Sequence, residues 1–108
     1  MTTLGPAVDL GALDDFTSGE ARQLRVEDRV LVVVRIDQDV YVLDDRCSHE
    51  DFSLAQGEVD VETCEIECAR HGAMFDLHDG APTSLPATRP VARYDARVRD
   101  GRVEVVLS

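Results

Sequence analysis

The sequence predicts a single all-β domain. Three observations carry this: two pairs of β-branched runs joined by short polar turns, no long segment with a 3.6-residue apolar stripe, and two long polar loops between strand-like segments. The chain has 108 residues, which suits one domain spanning 1–108. It has no Trp, three Phe and two Tyr, so its core must rest on Val, Leu, Ile and Ala. A domain this small buries a modest core, and a bound metal centre would add stability.

Taken in order, Asp9–Phe16 is the best helical candidate and Ala21–Val26 a strand. Residues 29–36, Arg-Val-Leu-Val-Val-Val-Arg-Ile, form a β-branched run, with Val40–Leu43 following across the polar turn Asp37-Gln38-Asp39. Short strands are expected at Cys64–Glu67 and Met74–Leu77, and a helical turn near Ser53–Gln56. Near the C-terminus, Ala92–Arg99 alternates and Arg102–Leu107 is rich in Val. The Asp100-Gly101 pair between them is a strong two-residue hairpin signal. Asp45–Asp60 and the proline-bearing Gly80–Pro90 read as ordered loops, and loops this long in a small domain usually have a function.

Acidic residues outnumber basic ones 22 to 11, for a formal charge of −11. That balance argues against nucleic acid and anionic membranes, and it suits either docking on a basic partner surface or solubility alone. No apolar run approaches the roughly 20 residues of a membrane span. The start, Met1-Thr-Thr-Leu-Gly-Pro, lacks the basic and apolar regions of a secretory signal, so the expected location is cytoplasmic. In a reducing compartment, three cysteines favour metal or redox chemistry over a disulfide framework.

The chemistry concentrates in two mixed doublets. Cys47-Ser48-His49 is a C-x-H, and Cys68-Ala69-Arg70-His71 a C-x-x-H, with 18 residues between His49 and Cys68. Each follows a predicted strand, so two loops leaving one sheet could bring two thiolates and two imidazoles together. Such a set suits tetrahedral zinc. It also suits a [2Fe–2S] cluster with two cysteines on one iron and two histidines on the other. Zinc fingers usually keep their cysteines in one pair and their histidines in another, whereas here each loop supplies one of each. Spacing therefore favours the cluster.

With these residues in view, the sequence resembles a Rieske ferredoxin. Cys47, His49, Cys68 and His71 match the family pattern position by position; Leu43-Asp44, His71-Gly-Ala-Met-Phe75-Asp76 and the loop from Pro82 to Pro90 are similar too. The resemblance covers roughly residues 8–107. It implies a Rieske-like fold of small antiparallel sheets with two cluster-binding loops and a covering proline loop. It also implies one Rieske [2Fe–2S] cluster, with Cys47 and Cys68 on the inner iron and His49 and His71 on the outer. Histidine ligation makes such a cluster less negative and raises its potential.

High-potential members of the family add a cysteine to each ligand loop and a serine two residues after the second histidine. This chain has neither: its first loop reads His49-Glu50-Asp51-Phe52, and Ala69 and Ala73 stand at the other positions. The implied potential is at the low end of the Rieske range, about −150 mV.

Other candidates are weighed individually. Cys64, claimed by no motif position, reads as a buried structural thiol, and His78 as exposed in a turn. Arg70 would lie near the cluster tip, and Glu50 and Asp51 beside the exposed histidine. Phe75 and Leu85 are expected to pack behind the ligand loops.

By resemblance, the chain is a monomeric electron carrier rather than an enzyme. Its expected partners are a flavin-dependent reductase and the terminal oxygenase of a dioxygenase system. Alternatives are an accessory protein of iron–sulfur cluster assembly, the Rieske-like small subunit of nitrite reductase, and a zinc-binding interaction module. Nothing suggests the base and oxyanion site of a cysteine hydrolase.

Overall fold

The two expected hairpins form the centre of the protein, and a two-residue turn sets the register of each. The computed structural model describes residues 7–46, 52–70, 72–85 and 89–107. Strand β1 is Ala7–Ala12, β2 Ala21–Val26, β3 Arg29–Ile36, β4 Asp39–Asp44, β5 Val59–Asp60, β6 Glu65–Glu67, β7 Met74–Asp76, β8 Arg93–Arg99 and β9 Arg102–Val106. Six strands make one antiparallel sheet in the order β1-β9-β8-β4-β3-β2, and β5-β6-β7 make a second. Among the described residues, no helix is long and apolar enough to cross a membrane.

Asp100-Gly101 closes β8 onto β9 with Arg99 opposite Arg102. Both residues take positive φ, 52° and 74°, as a type I′ turn requires. The β3–β4 turn is shorter than expected. Ile36 pairs with Asp39, which leaves Asp37 (φ 56°) and Gln38 as the whole turn and puts Asp39 in the strand.

Three local expectations need correction. Asp9–Phe16 is not a helix: Ala7–Ala12 pairs with β9, and only Leu13–Asp15 forms a 3₁₀ turn. Val8 and Leu10 pack against the core with Asp9 exposed between them, a period of two. A register shift between Asp9 and Gly11 is accommodated by Gly11 at φ 119°, whose N–H donates to Asp9 Oδ1 at 2.7 Å. The strand expected from Cys64 begins at Glu65, because Cys64 turns the chain at φ 58°. Val59–Asp60, expected as loop, pairs with β6 as an edge strand. The helical turn expected near Ser53–Gln56 is present as a 3₁₀ turn over Leu54–Gln56.

Strand β3 explains how so small a protein builds a core. Leu31, Val32, Val33 and Val34 are all fully buried, because both faces of the strand are covered. Val32 and Val34 pack with Leu54, Ile66, Cys68 and Phe75, beneath the small sheet. Leu31 and Val33 pack with Leu13, Phe16, Val103 and Val105, so the large sheet folds over to bring β9 against β3. Arg35 ties down the Leu13–Phe16 turn, its Nη1 donating to the carbonyls of Leu13 (3.1 Å) and Phe16 (3.0 Å).

Burial of Tyr41 in β4, with the Cys64 thiol beside it, pushes its pKa up to about 12. A raised phenol pKa means that the fold favours the neutral form. This contribution to stability is intact below the unfolded value of about 10 and is lost as the pH rises towards 12. Chemical denaturation should therefore show stability falling between those values, and Tyr41→Phe should flatten that slope.

Candidate metal centre

The loop expected to carry the first ligand pair leaves β4 from a firmly held base. Asp44 N–H donates to Ala92 O at 2.8 Å, Asp45 N–H donates to Val30 O at 3.0 Å, and the Tyr94 hydroxyl donates to Asp44 Oδ1 at 2.7 Å. Burial, with the Asp44 carboxylate beside it, raises the Tyr94 pKa.

Asp45, the one charged residue in the described core, is 7% exposed. Its Oδ2 accepts from Gln23 Nε2 at 2.5 Å and from the Ser53 hydroxyl at 2.6 Å, and its Oδ1 accepts from Ala55 N–H at 2.7 Å. One carboxylate thus joins the start of the loop, two residues before Cys47, to its return at Ser53–Ala55 and to β2. A charged acceptor with three donors is strongly held, and its burial is compensated.

The second loop is a tight turn off β6. Cys68 N–H donates to Ala73 O at 2.7 Å, and Gly72 N–H, at φ 77°, donates back to Cys68 O at 2.8 Å. Cys68 is fully buried, packed with Val32, Val34, Leu54, Ile66 and Phe75.

The two loops meet at Gly57. A Cβ there would lie 1.6 Å from Glu67 O and 3.4 Å from Ala69 N, so only glycine permits this approach beside Cys68. A third segment joins them. Phe75 bridges Pro82, Thr83 N–H donates to Met74 O at 2.8 Å, and Met74 N–H donates to the Ser84 hydroxyl at 3.0 Å. The first arm of the proline loop is thereby fastened to β7. Its base closes through Val91 N–H to Gly80 O at 2.8 Å, where a Cβ on Gly80 would lie 2.0 Å from Val91 O.

Of the four expected ligands, Cys68 is described; Cys47, His49 and His71 lie outside the described residues, as do Glu50 and Asp51. Phe75 packs against Cys68 as expected, and Arg70 is exposed beside it. Leu85 does not pack behind the loops: it is 78% exposed, because the hydrogen bonds of Thr83 and Ser84 fix the strand while the chain turns outward at Leu85.

Cys64 is half-buried and in no disulfide, at the end of β6 opposite Cys68. Burial pushes its thiol pKa up, which is the behaviour of an inert packing thiol. His78 is exposed, its Nδ1 2.9 Å from Asp76 Oδ1 and its ring edge-on to Tyr41.

The described residues fit a cluster of two irons. A buried thiol lies at the meeting point of two braced loops, and each loop carries one cysteine and one histidine in sequence. Sequence reasoning missed Asp45 and Gly57. The signal for Asp45 was its place two residues before a ligand; Gly57 gave none, since its contact partner is ten residues away.

The sequence profile of the Rieske [2Fe-2S] domain matches residues 7–95. The ferredoxin subunit of anthranilate 1,2-dioxygenase from Burkholderia cepacia is 37% identical over 103 residues, 95% of this chain and 94% of that protein. The solved ferredoxin of carbazole 1,9a-dioxygenase from Nocardioides aromaticivorans IC177 superposes with a TM-score of 0.93 at 34% identity, covering 96% of this chain and all of that one. A ferredoxin solved in complex with the oxygenase of carbazole 1,9a-dioxygenase has a TM-score of 0.84 at 33% identity, covering 93% and 92% of the two chains.

Replacing Asp45 by Ala would leave the Ala55 N–H without its acceptor and remove the carboxylate that the Gln23 amide and the Ser53 hydroxyl share. The expected cost is about 3 kcal/mol, or a Tm lower by roughly 10 °C, in a thermal melt. Iron content per chain should fall with it.

Proposed function

Because the chain belongs to the Rieske [2Fe-2S] domain family, we propose that it is a one-electron carrier, taking electrons from a flavin-dependent reductase and giving them to a terminal oxygenase. The full-length similarity to dioxygenase ferredoxin subunits, one of them solved in complex with its oxygenase, is the observation that carries this reading. We assign Cys47, His49, Cys68 and His71 as the ligands of its Rieske cluster, and a monomer in the cytoplasm as its working state.

The bound cluster supplies a one-electron couple whose potential is raised by histidine ligation. The chain's own residues hold the ligands still. The Cys68 main chain is bonded on both sides within its turn, and Val32, Val34, Leu54, Ile66 and Phe75 exclude water from its side chain. Asp45 fixes both ends of the loop that carries Cys47 and His49. Such bracing lets the electron come and go with little rearrangement of the ligands.

Ala73, fully buried, brings a methyl group rather than a hydroxyl to the turn after His71. A donor near the cluster sulfides would stabilise the reduced state. Ala73→Ser should therefore raise the midpoint potential in a redox titration, and an unchanged or lower value would count against the assigned ligand turn.

The functional reading is tested by mixing the oxidised holoprotein with a flavin-dependent reductase and NADH, then adding terminal oxygenase. The visible absorbance should bleach by one electron per chain and recover when oxygenase is added. A holoprotein with full iron and sulfide that accepts no electron from the reductase and gives none to the oxygenase would refute it.

A further inference from the structure

The outer face of the small sheet is not needed for its packing. Val59, Ile66 and Phe75 point to the core, and alternation puts Glu58, Asp60, Glu65, Glu67, Met74 and Asp76 on the opposite face. Register places Asp60, Glu65 and Asp76 in one row across the three strands. Glu58, Glu67 and Met74 make the next row, with Glu67 N–H donating to Glu58 O at 2.9 Å.

Like charges directly opposite one another destabilise a sheet, and none of the three strands contributes a Lys or Arg to offset them. Three of the carboxylates have local work. Asp60 accepts from the N–H groups of Glu62 and Thr63, Glu65 accepts from Thr83, and Asp76 is paired with His78. Among the described residues, Glu58, Glu62 and Glu67 have no such side-chain partner. These three border a groove of about 500 Å³, whose lining is completed by Val59, Asp60, Val61 and Met74. Val61 is 50% exposed and adds an apolar side chain to this acidic surface. The groove ends at Glu67 and Met74, which flank the turn that carries Cys68.

We propose that this groove docks a Lys- or Arg-bearing segment of a protein redox partner. The alkyl stem of the cation lies along Val61 and Met74, and its charged head sits among Glu58, Glu62 and Glu67. The combination suits a long cationic side chain, whose stem is apolar and whose tip is charged. The chain's net charge of −11 draws such a partner in, and the groove directs it to the flank of the ligand turn. The inference rests on the electron-carrier reading and adds the site and chemistry of partner contact.

The test uses dithionite-reduced holoprotein and ferric cytochrome c, a lysine-rich one-electron acceptor, in stopped flow. A triple variant, Glu58→Gln with Glu62→Gln and Glu67→Gln, is compared with Glu27→Gln, Asp28→Asn and Asp100→Asn together, which removes the same charge from turns of the large sheet. The groove variant should lose about tenfold in bimolecular rate at low salt, and the turn variant under about twofold, with high salt closing the gap. Val61→Ser should slow transfer at both salt levels. Equal losses in the two triple variants, or none in either, would overturn the docking site, provided iron content and midpoint match the parent. A parent chain that dithionite cannot reduce would instead overturn the electron-carrier reading itself.

Discussion

The site depends on one close approach, that of Gly57 to the backbone of Glu67 and Ala69. Here the return of the first ligand loop lies directly on the strand end that launches the second. Any side chain at position 57 would push the loops apart, and a cluster held by the ligands proposed on them would tolerate little widening. The approach is possible because Asp45 has already gathered the first loop, spending one buried charge on three hydrogen bonds that pin its two ends and β2 together. Glycine permits the contact and the carboxylate enforces it.

Beneath this junction, β3 acts as a shared wall. Alternate residues of a single strand serve two cores, Val32 and Val34 beneath the small sheet that carries Cys68 and Leu31 and Val33 within the curled large sheet. Displacing β3 would disturb the ligand turn and the C-terminal hairpin together. The outer face of the small sheet, in contrast, is given over to carboxylates that gain little from one another. On the docking reading proposed above, brief contact with a basic partner would offset part of that cost at the surface.

Much of this was legible in the sequence, and the reasons are local. Asp100-Gly101 dictates its own turn, because few residue pairs accept positive φ twice in succession. The Val-rich β3 reads as a strand whatever surrounds it. The four-ligand spacing points to the family without any knowledge of the fold. What sequence reasoning missed depends on distant partners. Asp9–Phe16 is too short to settle helix against strand, and the β9 residues that pair with its first part lie ninety or more positions along the chain. Val59–Asp60 is a strand only because β6 lies beside it. Leu85 looked like a core residue by composition, yet the bonds of Thr83 and Ser84 to β7 leave its side chain outside. The role of Gly57 is a contact between two loops and has no local signature at all.

The central claim is that two braced loops hold a two-iron cluster with mixed thiolate and imidazole ligands. Its most direct test is the EPR spectrum of the purified, dithionite-reduced protein, taken with iron and acid-labile sulfide assays. The account predicts a rhombic signal of low average g value, with about two irons and two sulfides per chain. A colourless, EPR-silent protein holding about one zinc per chain would contradict it.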